Sequence, residues 1–251
     1  VNEAEYWKRL QQIKAFRVER PDRWGAHREA MREHLRIGPP DKPWTFSTVV
    51  ATMYVGDGKL VRKEAAEMAA AGEMAHYLDE DGTNLLHQHY HLWRWRGRQG
   101  ANALARVKTI VEFGGGYGAM AIVAERCGFR GEYWIADFPE MNMMQWWHLG
   151  KRGISLEMHW VTEARPCERP DLFISCFGLS EVTPLERVKF LRQIQPRSYL
   201  MVYQRRWDGV DNERFFQIWA EEYQKKGGPQ FVIEDGPSGR YLISVEKGQD
   251  E

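Results

Sequence analysis

Apolar residues recur at helical spacing through the first hundred positions and switch to short strand-like runs after residue 106. Tyr6, Leu10 and Ile13 fall on one helical face, and Val61, Ala65, Met68, Gly72 and Ala75 repeat the spacing over a longer run. Between them, "RIGPPDKPWTFS" carries prolines that no continuous helix accommodates, so it reads as a loop. A third helical segment, "NLLHQHYHLWRW" over 84–95, runs into the breaker "RGRQG". The pattern predicts a helical arm or lid over 1–106, followed by an α/β domain over 107–251.

In that second part, apolar strands alternate with helices. The strands predicted are 107–113, 132–137, 154–161, 171–177, 198–204, 230–235 and 240–246. "TPLE" at 183–186 supplies Thr183 as N-cap, Pro184 at the first helical position and Glu186 to complete a capping box. "AMAIVAERC" forms the helix after a run of glycines and stops at Gly128. Strands alternating with helices imply a Rossmann-like, mostly parallel sheet covered on both faces. The last two strands are separated by only "GPSG", which predicts an antiparallel hairpin.

The glycine run itself, "VEFGGGYGAM", follows the first of these strands. A strand, a glycine-rich turn and a helix start bring backbone N–H groups up to a ligand with no side chains in the way. Read as Gly114-x-Gly116-x-x-Ala119, it satisfies a dinucleotide fingerprint, and Asp137 after the next strand is placed for ribose hydroxyls. Read as Glu112-x-Gly114-x-Gly116-x-Gly118, it adds an acid at the strand tip. That acid opposes a pyrophosphate but attracts an ammonium group.

The turn resembles the first motif of class I S-adenosylmethionine (SAM)-dependent methyltransferases. Asp137 falls where that family grips the ribose, and seven strands closing in an antiparallel hairpin are similar to its sheet. A narrower resemblance joins "EFGGGYGAMA", "IADFPEM" and "ISCFGLSEV" to sequences grouped as sugar O-methyltransferases, over roughly residues 84 to 195. The resemblance implies SAM as cofactor and S-adenosylhomocysteine (SAH) as product. It places the methionine end on Glu112, Gly114, Gly115, Gly116, Tyr117 and Gly118, and the ribose on Asp137. Phe138 or Met141 would wall the adenine, and Cys176, Phe177 and Gly178, continuing to Glu181, would border the methyl group.

Methyl transfer to a hydroxyl also needs a proton acceptor near the carboxyl ends of the strands. Glu181, just past the fourth strand, is the first choice and His148 in "MMQWWHLG" the second. The helix containing "HQHYHLWRW" would pack over the cofactor and present His89, Tyr90 or His91 to the substrate. His87 and His91 there have the one-turn spacing of metal ligands, but only Glu181 stands where sugar methyltransferases hold an ion with paired acids, so no metal is expected. His159 reads as packing.

Composition narrows the partners. The 35 basic and 35 acidic residues cancel, which gives no reason to expect a polyanion or a membrane surface. The alternating "WRWRGR" has the ingredients of a nucleic-acid groove but is short. Arg206 with Trp207 equally suits a sugar bearing a phosphate or carboxylate. Cys127, Cys167 and Cys176 show no metal-ligand spacing and suit reduced thiols. No apolar run reaches membrane-span length, and "VNEAEYWKRLQQ" lacks a signal-peptide core, so a cytoplasmic enzyme is expected. The expectation is a SAM-dependent O-methyltransferase acting on a small molecule, a sugar or nucleotide sugar. An RNA methyltransferase, an NAD(P)-dependent oxidoreductase and a non-catalytic SAM-binding module stand as alternatives.

Overall fold

Runs rich in β-branched and aromatic residues form a seven-stranded sheet, and the helices between them cover both of its faces. The computed structural model describes residues 58–72, 82–100, 102–161, 167 and 169–245. The predicted helix with Tyr6, Leu10 and Ile13, the proline-rich loop and Ala75 lie outside these residues. Helix α1 spans Gly58–Ala70, α2 Gly82–Gln99 and the single turn α3 Ala103–Arg106. There follow β1 (Thr109–Phe113), α4 (Ala119–Arg126), β2 (Glu132–Ala136), α5 (Pro139–Lys151), β3 (Glu157–Val161) and β4 (Leu172–Cys176). After a 3-10 turn at Gly178–Glu181 come α6 (Pro184–Gln193), β5 (Ser198–Tyr203), a two-rung ribbon of β6 (Arg206–Trp207) and β7 (Val210–Asp211), and α7 (Asn212–Lys225). The hairpin of β8 (Gln230–Asp235) and β9 (Arg240–Val245) ends the described chain.

The sheet order is β3-β2-β1-β4-β5-β9-β8. Strands β1 to β5 are parallel, whereas β9 pairs antiparallel with β5 and β8 antiparallel with β9. The order reverses between β1 and β4, where ligands bind at the carboxyl edge of a doubly wound sheet. All seven predicted strands are present, most of them one or two residues shorter; β3 starts at Glu157 instead of 154.

Because side chains alternate along each strand, the sheet has two apolar faces. On one, Ile110, Ile135, Ile174, Leu200 and Ile243 pack with Tyr90 and Trp95 of α2 and Ile122 and Val123 of α4. On the other, Val111, Phe173, Tyr199 and Met201 pack with Phe190 of α6 and Phe216 of α7. The Thr183 capping box starts α6 as its sequence predicts: Thr183 accepts from the Glu186 amide, and Glu186 accepts from the Thr183 amide.

Helix α2 corrects the sequence reading. "RGRQG" is not a breaker from Arg96 onward, since the helix continues through Gly97 to Gln99 and stops at Gly100. Tertiary anchors outweigh the cost of about 1 kcal/mol for a helical glycine. The Trp95 indole N–H donates to Ser198 Oγ at 2.8 Å, and the Gln99 amide donates to the Ser244 carbonyl. These bonds fix the end of α2 at the amino edge of β5, while Asn84 in its first turns donates to the Tyr117 hydroxyl at 2.8 Å. The helix therefore crosses the sheet and delivers its N-terminal half to the carboxyl edge.

Candidate functional site

The glycine turn is held at its base by backbone contact with the segment after β4. Gly114 has φ +77°, and a Cβ there would stand 2.9 Å from the Gly178 Cα; a Cβ on Gly178 would meet the Phe113 carbonyl at 2.8 Å. Side chains are excluded at both positions, so the turn and residues 176–178 lie against each other. Phe177 adopts φ +70°, a left-handed value that is costly for a phenylalanine, with its amide donating to the Val202 carbonyl at 2.8 Å.

Beneath the turn, two acids converge. Glu112 on β1 is buried, and Tyr133 on β2 donates its hydroxyl to Oε2 at 2.8 Å. Gly115 lies directly above: a Cβ there would meet Ile135 at 2.7 Å and Glu112 Oε2 at 3.1 Å. Asp137 accepts from the Phe138 amide at 2.8 Å, from Gln145 Nε2 at 3.0 Å, and from the amides of Gly115 and Gly116. Burial pushes the Glu112 carboxyl up to about 8; the Tyr133 bond opposes the rise and the charge of Asp137 adds to it. Burial likewise pushes Asp137 up to about 7 against all of its hydrogen bonds. The thiol of Cys176 is raised by burial and then by Glu112. Two acids withdrawn from water, the charge of Asp137 raising Glu112 further, form a place suited to a cation and hostile to an anion.

Gln145 joins the two halves of this site. Fully buried on α5, it donates through Nε2 to the Gly116 carbonyl at 2.9 Å as well as to Asp137, and its Oε1 has no hydrogen-bond partner among the described residues. An unpartnered buried carbonyl oxygen beside the turn fits a site built for a hydrogen-bonding ligand. Gln145, Tyr133 and Asn84 are the residues that reading by sequence missed. For Gln145 the signal was present, a polar residue at the centre of the Met- and Trp-rich stretch "MNMMQWWH".

The remaining nominated residues are spread more widely. Phe138 stands at the N-cap of α5, partly buried against the core, and Met141 is buried in the same helix. Tyr117 is buried, with the ring of His148 edge-on at 5.0 Å. His148 is itself buried and donates from Nδ1 to the Tyr117 carbonyl at 3.0 Å, so it braces the turn. His89 is buried in α2. Glu181 ends the 3-10 turn at the carboxyl edge and accepts from Gln204 Nε2 at 3.1 Å; burial lifts its carboxyl to about 7. His159 stacks on Trp134 at 4.0 Å and 14°. "WRWRGR" is used internally: Trp95 is buried, and Arg94 and Arg98 both pair with Glu234. Just beyond β5, a cavity of about 450 Å³ is lined by Arg205, Arg206, Asp211, Glu213, Arg214 and Gln217.

The strand order, with the antiparallel β9 inserted between β5 and β8, is consistent with a Rossmann-like methyltransferase fold. Solved structures similar to the chain include a SAM-dependent methyltransferase from Aquifex aeolicus, at 14% identity over 61% of this chain and 88% of that one, with a TM-score of 0.42. Others are the mitomycin 7-O-methyltransferase MmcR, at 14% identity, 98% and 74% coverage and TM-score 0.47, and the 16S rRNA methylase ArmA, at 13% identity, 76% and 98% coverage and TM-score 0.45. No protein-family model matches the sequence, and no curated protein matches it. No helix among the described residues is long and apolar enough to cross a membrane.

Proposed function

We propose that the chain is a SAM-dependent methyltransferase that methylates a hydroxyl of a small polar acceptor, a sugar or nucleotide sugar. The observation that carries the cofactor is the acid pair under the glycine turn. Glu112 and Asp137 are both raised by burial, and the ammonium of a methionine moiety relieves what a pyrophosphate would aggravate. Glu112 and the turn amides would hold the methionine end, Asp137 and Gln145 the ribose, and Phe138 with Met141 the base. Bound there, SAM supplies an electrophilic methyl group, and the chain's part is to aim the acceptor at it, because in-line displacement is accelerated chiefly by positioning.

Two features support a small, acid-bearing acceptor. The cavity beyond β5 sets Arg205, Arg206 and Arg214 beside Asp211 and Glu213, with Arg205 paired to Glu213, and the forked guanidinium groups of Arg206 and Arg214 suit a phosphate or carboxylate. Glu181, its carboxyl lifted by burial to about 7 at the carboxyl edge, is suited to orient the hydroxyl. Internal use of the "WRWRGR" stretch favours this acceptor over RNA. The test is a mass-spectrometric screen of nucleotide sugars, sugar phosphates and glycosides with SAM. Gain of one methyl group by a member of these classes is expected; methylation of RNA alone would overturn the acceptor assignment.

A further inference from the structure

Polar side chains meet in the buried space between α1, α2 and β9, and the cofactor site gives them no role. Glu64 of α1 is fully buried, with its two oxygens 2.9 and 2.8 Å from Nδ1 of His87. Nε2 of His87 lies 3.1 Å from Nε2 of His91, one turn further along α2. Nδ1 of His91 lies 2.6 Å from the Tyr241 hydroxyl on β9, and that hydroxyl is 3.5 Å from Oγ of Ser238 in the β8–β9 turn. Phe177 stacks parallel to His87 at 6.2 Å and edge-on to His91 at 6.1 Å. A Cβ on Gly239, next to Ser238, would meet the Phe177 ring at 3.2 Å. The chain of polar groups therefore lies against the segment that touches the glycine turn.

Donor and acceptor chemistry fixes how this chain works. A carboxylate only accepts, so His87 Nδ1 carries a hydrogen and neutral His87 has a bare Nε2. His91 then donates from Nε2 and accepts at Nδ1 from Tyr241. One added proton on His87 Nε2 reverses the polarity: His87 donates to His91, His91 donates from Nδ1 to the Tyr241 oxygen, and Tyr241 turns its hydrogen toward Ser238. Every bond in the chain is satisfied in both states. Burial, the charge of His87 and then Arg94 hold His91 well below the usual histidine range, and of the two rings it is His87 that lies against the Glu64 carboxylate. The other titratable and charged groups around the chain are Glu67 of α1, Tyr90 and Arg94 of α2, Cys176 of β4 and Glu234 of β8. Of these, Tyr90 bonds Glu67, and Arg94 bonds both Tyr90 and Glu234.

We propose that Ser238, Tyr241, His91, His87 and Glu64 form the relay that takes the proton of the acceptor hydroxyl, an assignment that rests on the methyltransferase reading. The acceptor O–H bond breaks as its oxygen bonds the methyl carbon, and the carbon–sulfur bond breaks with its electron pair going to sulfur. The released proton passes to Ser238 Oγ, whose own proton moves to the Tyr241 oxygen. The Tyr241 proton moves to His91 Nδ1, and the His91 Nε2 proton moves to His87 Nε2. The positive charge lost at sulfur reappears on His87, where Glu64 balances it. Glu181 is then left to orient the acceptor, and Glu64, His87 and His91 act through Tyr241 and Ser238.

The test is nitrogen NMR of the full chain with ¹⁵N-labelled histidine rings between pH 5 and 9, on wild type, Glu64→Gln and Tyr241→Phe, with SAH affinity measured on each. In wild type, His91 should change from the Nε2–H to the Nδ1–H tautomer as His87 gains its proton. Tyr241→Phe should abolish that change, and Glu64→Gln should weaken the proton affinity of His87 at least tenfold, with SAH affinity unchanged in both. With a methylated acceptor in hand, Tyr241→Phe should slow transfer on the order of 10²-fold and remove the acid limb of the pH profile, whereas Glu181→Gln should keep that limb. A wild-type protein that does not bind SAH defeats the methyltransferase reading itself. SAH binding with one His91 tautomer at every pH, or Zn²⁺ taken up between the two Nε2 atoms, defeats the relay alone.

Discussion

The two sides of the carboxyl edge are assembled differently. On the glycine-turn side, Glu112, Tyr133 and Asp137 come from neighbouring strands within 26 residues, and the loop they support is short and local. On the α2 side, His91 meets Tyr241 across 150 positions. The first side is a motif with a charge problem built into it, and the second is a polar seam made by packing. A glycine turn can thus be read locally, while a polar seam is recruited from the whole chain.

The difference can be broken at several points. Substitution at the turn should have the largest effect: Gly114→Ala must accept a left-handed φ and a contact with Gly178, for an expected loss of about 2 kcal/mol or more in urea unfolding and of SAH binding by calorimetry. Glu112→Gln removes a charge-assisted contact to the ammonium while keeping the shape, and should weaken SAH about 10- to 100-fold. Unchanged affinity would erase the distinction between this turn and a dinucleotide site.

The pH dependence follows from the same acid. The folded-state pKa of Glu112, about 8, lies above the ordinary 4.5, so its contribution to stability is complete below 4.5 and is lost as the pH rises to about 8. Asp137 acts in the same direction between 3.8 and about 7. The ligand-free protein should therefore lose thermal stability from pH 5 to 8, saturating SAH should offset the loss, and Glu112→Gln should flatten the slope in calorimetric scans. Thr183→Ala should have the smallest effect, about 1 kcal/mol of stability from the capping box with SAH affinity unchanged, since α6 covers the face away from Glu112.

What could be read from the sequence divides along the same line. The strands, the hairpin, the Thr183 cap and the Glu112–glycine–Asp137 set were legible because periodicity, turn chemistry and charge act over a few residues. The course of α2 was not legible. Gly97 argued for a stop, and only the buried anchors at Trp95 and Gln99 explain why the helix continues. His87 and His91 were visible as one helical face, but their partners Glu64 and Tyr241 become neighbours only through tertiary packing. His148 was nominated for chemistry from its type alone; register and helix packing place it under the Tyr117 carbonyl and make Gln145 the residue that spans the turn and Asp137.

The measurement that bears most directly on this account is a calorimetric titration of the full chain with SAH and, separately, with NADH at pH 8. Saturable SAH binding that Glu112→Gln weakens at least tenfold, with no NADH binding, is expected. Tight NADH binding without SAH binding would contradict it.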